Sequence, residues 1–392
     1  MTVNTLITLR AIGRSGSLFL QQLFENHSQL VMLPVIIDFY GRWNTFFAKS
    51  SGDVNELLNY YIKDTNIKCL LGEKNSLFSW VDQNNHENYV SLDLNAYLEQ
   101  CILFINLSDE TNFRKRILLA LHQAYYQLAG LKWPDNPILF LHEHQPYFFE
   151  ETDQDFFETK HIATLRRPED MYASYSKFFQ KSGGLYGPLY LQYSLKVATE
   201  GYLNALHYHS KFPEKLYFVQ TELLNTQPEV VLKKLANWLN ISYEDVLLQP
   251  TFFGFPAKNN SAFDPNVSTF NKDIAEKSRF DEICSNREKV IIQNIFSDLN
   301  KDFYNIKNRK SILLSIFVIL IPDLAFIFLR KYSLKDVLYY LVSLNFIWSR
   351  INFIYCLRMI KRKKKEYIYP NDISDEMGYL YKNWLQKLIF FK

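Results

Sequence analysis

The stretch ITLRAIGRSGSLFLQQLFENHSQL, residues 7 to 30, constrains this chain more than any other. It begins as a short apolar run, tightens at Gly13 and Gly16, and continues with Phe19, Leu20, Leu23 and Phe24 at helical spacing. Such a run, turn and amphipathic stretch predict a strand, a tight loop and a helix. A helix entered through small residues presents free backbone N–H groups, which suit an anion. The G-K-[ST] ending of nucleotide triphosphate loops is missing, so the lysine and the magnesium-binding hydroxyl of ATP or GTP chemistry have no carriers. In their place stand Arg14, Ser15, Gly16, Ser17 and Leu18. One guanidinium, two hydroxyls placed as potential helix N-caps and a run of N–H groups suit a phosphate bearing a further charged group, with no metal required.

The rest of the first 305 residues repeats the alternation. PILFLHEHQP (137–146), HIATLRRP (161–168) and LYFVQ (216–220) read as buried strands, and helical patterns fall at about 93–130, 168–180, 188–211 and 228–240. Residues 31–75 read as irregular. Short apolar strands between helices predict an α/β domain, a central parallel sheet flanked by helices. Near residue 305 the character changes to apolar runs bracketed by KNRK (307–310) and KRKKK (361–365). Pro322, Asp323, Asn345, Arg350, Asn352 and Arg358 interrupt those runs, so neither is a clean membrane span. The division expected is a domain at 1–305 and a helical, apolar and basic extension at 306–392. That extension suits either an anionic membrane surface or packing on the core.

A formal net charge of +3 over 392 residues gives no reason to expect a nucleic-acid partner. Cys69, Cys101, Cys284 and Cys356 are scattered, with no pair at metal-ligand spacing, which fits a reducing compartment. The first residues read as carrying no secretion signal, so the chain is expected in the cytoplasm or peripheral on the cytoplasmic face of the membrane.

A second chemical element is LRRPEDMYASYSKFF, 165–179. Arg166 ends a strand, Pro168 opens the next helix, and Ser174 stands on that helix, an arginine and a serine that can clamp a second phosphate. Arg167 is expected to be a surface charge pointing the other way. HEHQP, 142–146, supplies titratable groups where open parallel sheets bind ligands. His142 is expected to point into the fold.

Taken in this order, the motifs resemble sulfotransferases that use 3′-phosphoadenosine-5′-phosphosulfate. Arg14-Ser15-Gly16-Ser17 is similar to the family's 5′-phosphosulfate loop, and Arg166-Arg167-Pro168 with Ser174 is similar to its 3′-phosphate motif. Looser likenesses are FVQTELLNTQPEVVLKKLANWLNI (218–241) and PTFFGFPAKNNSAF (250–263). Gln220-Thr221-Glu222 departs from the usual Y-E-D, and the C-terminal third has no counterpart. The resemblance implies that His144, in His144-Gln145-Pro146, is the general base, with Glu143 in reserve. It implies that Arg14 serves both donor binding and charge stabilisation, and that Asn260 and Ser261 help hold the 3′-phosphate or adenosine. The activity implied is transfer of a sulfuryl group to a hydroxyl of a glycan, glycolipid or related metabolite. Trp43, Phe46, Phe47, Tyr190 and Tyr193 are candidates to line the acceptor site. A nucleotide-dependent phosphotransferase and a non-catalytic membrane-peripheral scaffold of the same fold are the competing readings.

Overall fold

A computed structural model describes residues 3–71, 91–144, 146–182, 187–257, 270–273, 277–284 and 286–304. Asn260, Ser261 and the extension at 306–392 lie outside the described residues, as do Gln145 and the side chains of Tyr190 and Tyr193.

The opening stretch forms β1 (Thr5–Ala11) and α1 (Ser17–Phe24), followed by β2 (Leu30–Met32). Residues 31–71 are not the irregular segment that the sequence suggests for 31–75, because they hold α2 (Phe39–Lys49) and α3 (Val54–Asp64). Next come α4 (Leu94–Leu107) and α5 (Phe113–Leu128), two helices where the sequence suggested one. The break falls at a polar segment where the Asn112 side chain accepts the Lys115 N–H at 3.1 Å, capping the second helix. The order then runs β3 (Ile138–Glu143), α6 (Phe149–Asp155), β4 (Glu158–Leu165), α7 (Pro168–Ser182), α8 (Gly187–Lys211) and β5 (Leu216–Gln220). It closes with α9 (Thr221–Thr226), α10 (Pro228–Leu239), the small hairpin β6 (Thr251–Phe252) and β7 (Phe255–Pro256), α11 (Asn286–Ile295) and α12 (Ser297–Tyr304).

The sheet has five strands, all parallel, in the order β2-β3-β1-β4-β5. Side chains alternate across it. Ile7 and Leu9 with Phe140, Ile162 and Val219 meet α1 and α10 on one face. On the other, Leu6, Leu139 and Leu141 meet α3, α4 and α5, while Ala163 and Leu165 meet α7, α8 and α11. Burial on both faces explains why these strands read as continuous apolar runs, and it confirms the expected fold class.

From β1 the chain winds toward β3 and β2 on one side and later toward β4 and β5 on the other. Open sheets of this kind bind ligands at the strand carboxyl ends, where the direction of winding reverses. Here that point lies at the end of β1, between β3 and β4.

Several buried polar residues run against the apolar pattern, and the largest is an arginine. Arg10, on β1, is fully buried. Its Nε donates to Thr8 Oγ1 at 3.1 Å, and its terminal nitrogens donate to Tyr147 O at 2.6 Å and Thr152 Oγ1 at 3.0 Å. Glu143 lies 3.9 Å from the same guanidinium. A buried cation persists only when its donors are met in this way. The bond to Tyr147 O ties the segment after β3 to the middle of the sheet.

Candidate functional site

Three strand ends converge at the winding reversal. Ala11 N–H donates to His144 O at 3.1 Å, and Ile12 N–H donates to Thr164 O at 3.4 Å, so the ends of β1, β3 and β4 are laced together. The loop with Arg14, the position of His144 and the position of Arg166 follow those ends directly.

The β1–α1 turn is held from outside. Gly13 and Gly16 have φ of +68° and +80°, the left-handed region that favours glycine. Gly16 is the N-cap of α1, and neither Ser15 nor Ser17 caps the helix through its side chain, contrary to the expectation from sequence. Ser15 instead bonds Thr164 Oγ1 on β4 at 2.6 Å, and its carbonyl accepts the hydroxyl of Thr221 at the start of α9. Ser17 is buried as the first residue of α1, and Leu18 is half-buried against the apolar core. The first N–H groups of any helix lack intrahelical partners, and here the fixed turn leaves them at the strand ends.

Arg14 and Ser174, read separately in sequence, meet. Arg14 Nε donates to Ser174 Oγ at 3.1 Å across 160 residues, and the guanidinium lies 4.7 Å over the ring of Phe178. The α7 face formed by Met171, Ser174, Tyr175 and Phe178 therefore covers the turn, as i, i+3, i+4 and i+7 positions on one helix face would. Tyr175 is pushed up to about 12 by burial, with Arg14 opposing.

Arg166 completes the set. Its Nε is buried and has no hydrogen-bond partner. Burial lowers its pKa, while Asp170 and Glu222 oppose that. Arg14 is likewise lowered by burial, opposed by Tyr175, and lowered further by the charge of Arg166. Two guanidiniums thus act on one another behind the strand ends, one with an unused donor, an arrangement that suits an anion. Arg167 is not the expected free surface charge. It is half-buried, with Nε 2.7 Å from Asp170 and 3.7 Å from Glu222.

His144 is exposed to solvent yet surrounded by enough protein for burial to lower its pKa. Asp38 opposes that shift and Arg14 adds to it. A neutral imidazole is the form able to take a proton. Glu143, next to it, points to the other face and is fully buried. Its Oε1 accepts the N–H of Tyr40 in the first turn of α2 at 3.0 Å. Burial and the neighbouring Asp38 push its carboxyl up to about 8, with Arg10 and the Tyr40 and Gly41 N–H groups opposing. Glu143 thus sits where it anchors a helix, whereas His144 sits where a substrate can reach it. Asp38 was not singled out from the sequence, nor were Thr164 and Thr221. An aspartate just before a helix is an ordinary cap signal, and only the sheet order brings it near β3.

The aromatic candidates divide. Phe46 is core, packed against Tyr60 and Tyr61, while Trp43 stacks on Phe47 and meets Phe113 edge-on. Among the described residues no group of three or more His, Cys, Asp or Glu side chains gathers as metal ligands would. Among the same residues no helix is long and apolar enough to cross a membrane.

No family model matches the chain, and no curated protein matches it. Among solved structures it is similar to the sulfotransferase domain from the Synechococcus PCC 7002 olefin synthase, at 17% identity and a TM-score of 0.40, covering 71% of this chain and 88% of that one. It is also similar to the sulfotransferase domain from the curacin biosynthetic pathway, at 20% identity and a TM-score of 0.41, covering 76% of this chain and 99% of that one. At these scores neither likeness assigns a function.

Proposed function

We propose that the chain is a sulfotransferase that moves the sulfuryl group of 3′-phosphoadenosine-5′-phosphosulfate to a hydroxyl of a glycan, glycolipid or related metabolite. The observation that carries this reading is the Arg14–Ser174 contact, which joins two separate arginine-serine motifs at the end of the central strand. The donor has an anionic group at each end, and the residues present fit it. Arg166 Nε is a buried donor without a partner, and Arg14 lies within the reach of its charge.

When bound, the donor supplies an activated sulfuryl group. The chain's own residues do the rest by position and charge. Arg14 and the N–H groups of Gly16, Ser17 and Leu18 hold the 5′ end and offset the charge that grows on the departing phosphate, the Ser15 N–H being taken by Gly13 O at 3.0 Å within the turn. Arg166 and Ser174 select the 3′-phosphate. His144 accepts the proton of the attacking hydroxyl. The extension at 306–392 is proposed to bring the domain to an anionic membrane surface, where a lipid-linked acceptor would be met.

Titration calorimetry with 3′-phosphoadenosine-5′-phosphate against ATP tests the donor, and mass detection of sulfated product in polysaccharide and lipid extracts tests the reaction. His144→Ala is expected to abolish product while leaving affinity for the bisphosphate nearly intact. Preference for ATP, or full activity in H144A, overturns the reading.

A further inference from the structure

His142 is used by nothing proposed so far, and its surroundings are specific. It is buried at 2% exposure, on the same side of β3 as His144, and the two ring centres lie 6.1 Å apart with planes tilted by 44°. Its tautomer follows from its partners. The Gln21 side-chain nitrogen donates to Leu33 O at 3.1 Å, which leaves Gln21 Oε1 to face His142 Nδ1 at 2.5 Å. The opposite amide orientation would set two acceptor oxygens against each other at Leu33. A carbonyl oxygen only accepts, so the imidazole proton is on Nδ1 and Nε2 carries a bare lone pair.

That Nε2 is buried without a hydrogen-bond partner. The ring also stays neutral, because burial and the neighbouring His144 and Arg10 hold its pKa well below the usual histidine value. The structure therefore holds a neutral acceptor of defined polarity beside the exposed candidate base. The groups acting on the pair come from several elements: Gln21 on α1, Arg10 on β1, Arg14 in the β1–α1 turn, and Asp38 before α2.

We infer that His142 is a positioning residue: its Nε2 accepts a hydrogen bond from a ring N–H of His144 through one bridging water, the ring centres being too far apart for a direct bond, and so turns the other ring nitrogen of His144 toward the acceptor hydroxyl. The chain of bonds runs in one sense, from His144 through the water to His142, to Gln21 and to the carbonyl of Leu33. When His144 takes the substrate proton, both its nitrogens carry hydrogen and the bond to the bridging water becomes charge-assisted, while His142 itself stays neutral. The inference rests on the role proposed for His144, but the coupling between the two rings is measurable without any acceptor.

The test is long-range proton–nitrogen correlation on the full chain labelled at histidine. In the unaltered protein His142 is expected to show a protonated Nδ1 and a bare Nε2 from pH 5 to 8, and protonation at Nε2 overturns the inference. In His142→Leu the titration midpoint of His144 is expected to fall by roughly half to one pH unit, the size of one lost hydrogen bond to the charged form. A midpoint that does not move overturns positioning. Should H142L fail to fold, Gln21→Leu unlocks the tautomer from the other side and is expected to move the same midpoint, and an unmoved midpoint there is equally fatal. Calorimetry with 3′-phosphoadenosine-5′-phosphate separates the two levels: loss of that binding in the unaltered protein sinks the sulfotransferase reading while leaving the ring coupling in place.

Discussion

Replacing Arg166 by methionine should improve the fold and harm the site. Its Nε is a buried donor with no partner, an arrangement that costs about 1–3 kcal/mol. The acids around it have other partners, although Asp170 Oδ2 makes no hydrogen bond. Asp170 accepts from Ser278 Oγ at 2.9 Å and Arg279 N–H at 3.1 Å and pairs with Arg167, while Glu222 accepts from Arg167 N–H at 2.8 Å and Tyr304 OH at 2.9 Å. Methionine keeps most of the stem, removes the repulsion with Arg14, and orphans no carboxylate. The melting temperature of R166M should therefore rise or hold, by about 2–4 °C per kcal/mol recovered in a domain of this size. Affinity for 3′-phosphoadenosine-5′-phosphate should fall by about 2–5 kcal/mol, the cost of removing one partner of a buried charge pair, or roughly 30-fold to several thousand-fold. Affinity for adenosine 5′-phosphate should barely change. Scanning calorimetry and titration calorimetry read the two effects independently. A structural arginine would give the reverse, a loss of about 3–5 kcal/mol in stability and equal losses for both nucleotides, and that result would refute the reasoning.

Three further outcomes follow from the geometry. Gly13→Ala puts a Cβ 2.4 Å from Met171 Sδ at a φ of +68°; a loss of about 1–2 kcal/mol is expected in denaturant unfolding, only partly recovered in G13A/M171A because the backbone strain remains. Glu25, whose carboxyl is pushed up to about 7 chiefly by burial, binds a proton more tightly folded than unfolded, so its contribution is full below about pH 4.5 and is lost as pH rises through 7. Glu25→Gln should flatten that limb of the stability–pH curve, and an unchanged slope would show that the group does not titrate there. Asp155 accepts from Arg114, from Asn112 at 2.7 Å and from Tyr40 OH at 2.9 Å, joining α2, α5 and α6; Asp155→Leu should cost about 3–5 kcal/mol by thermal unfolding, because it leaves a part-buried guanidinium unpaired.

The parts of this fold that can be read from sequence are those where hydrophobic runs are punctuated by residues with strong local preferences. β1, the glycine turn and α1 are one such place, and β4 running into Arg166-Arg167-Pro168 and α7 is another. α2 is hidden for a local reason. It is built from Phe39, Tyr40, Trp43, Phe46 and Phe47, residues of middling helix propensity, and its N-cap Asp38 is left-handed and makes no side-chain cap bond. The break between α4 and α5 was legible in principle, since Asn112 is a good N-cap residue, but the apolar period on either side overrides it. In the site, Arg14, Ser174, Arg166 and His144 carry their chemistry in their local motifs. Thr164 and Thr221 do not, because an ordinary threonine becomes a clamp on Ser15 only through the neighbours that the sheet order supplies. The polarity of the His142 pair is likewise set by Gln21, an unremarked amide on another element.

The cation buried near the carboxyl end of β1 restricts how the chain can evolve. Changing Arg10 alone removes the bonds that tie β1 to Tyr147 O and Thr152 and takes away the positive charge beside Glu143; changing Glu143 alone takes away that cation's nearest acid. Neither step is a small one, whereas an apolar pair introduced together can be accommodated. In related sequences the two columns are therefore expected to switch in concert, and a lineage that has lost one is expected to have lost the other.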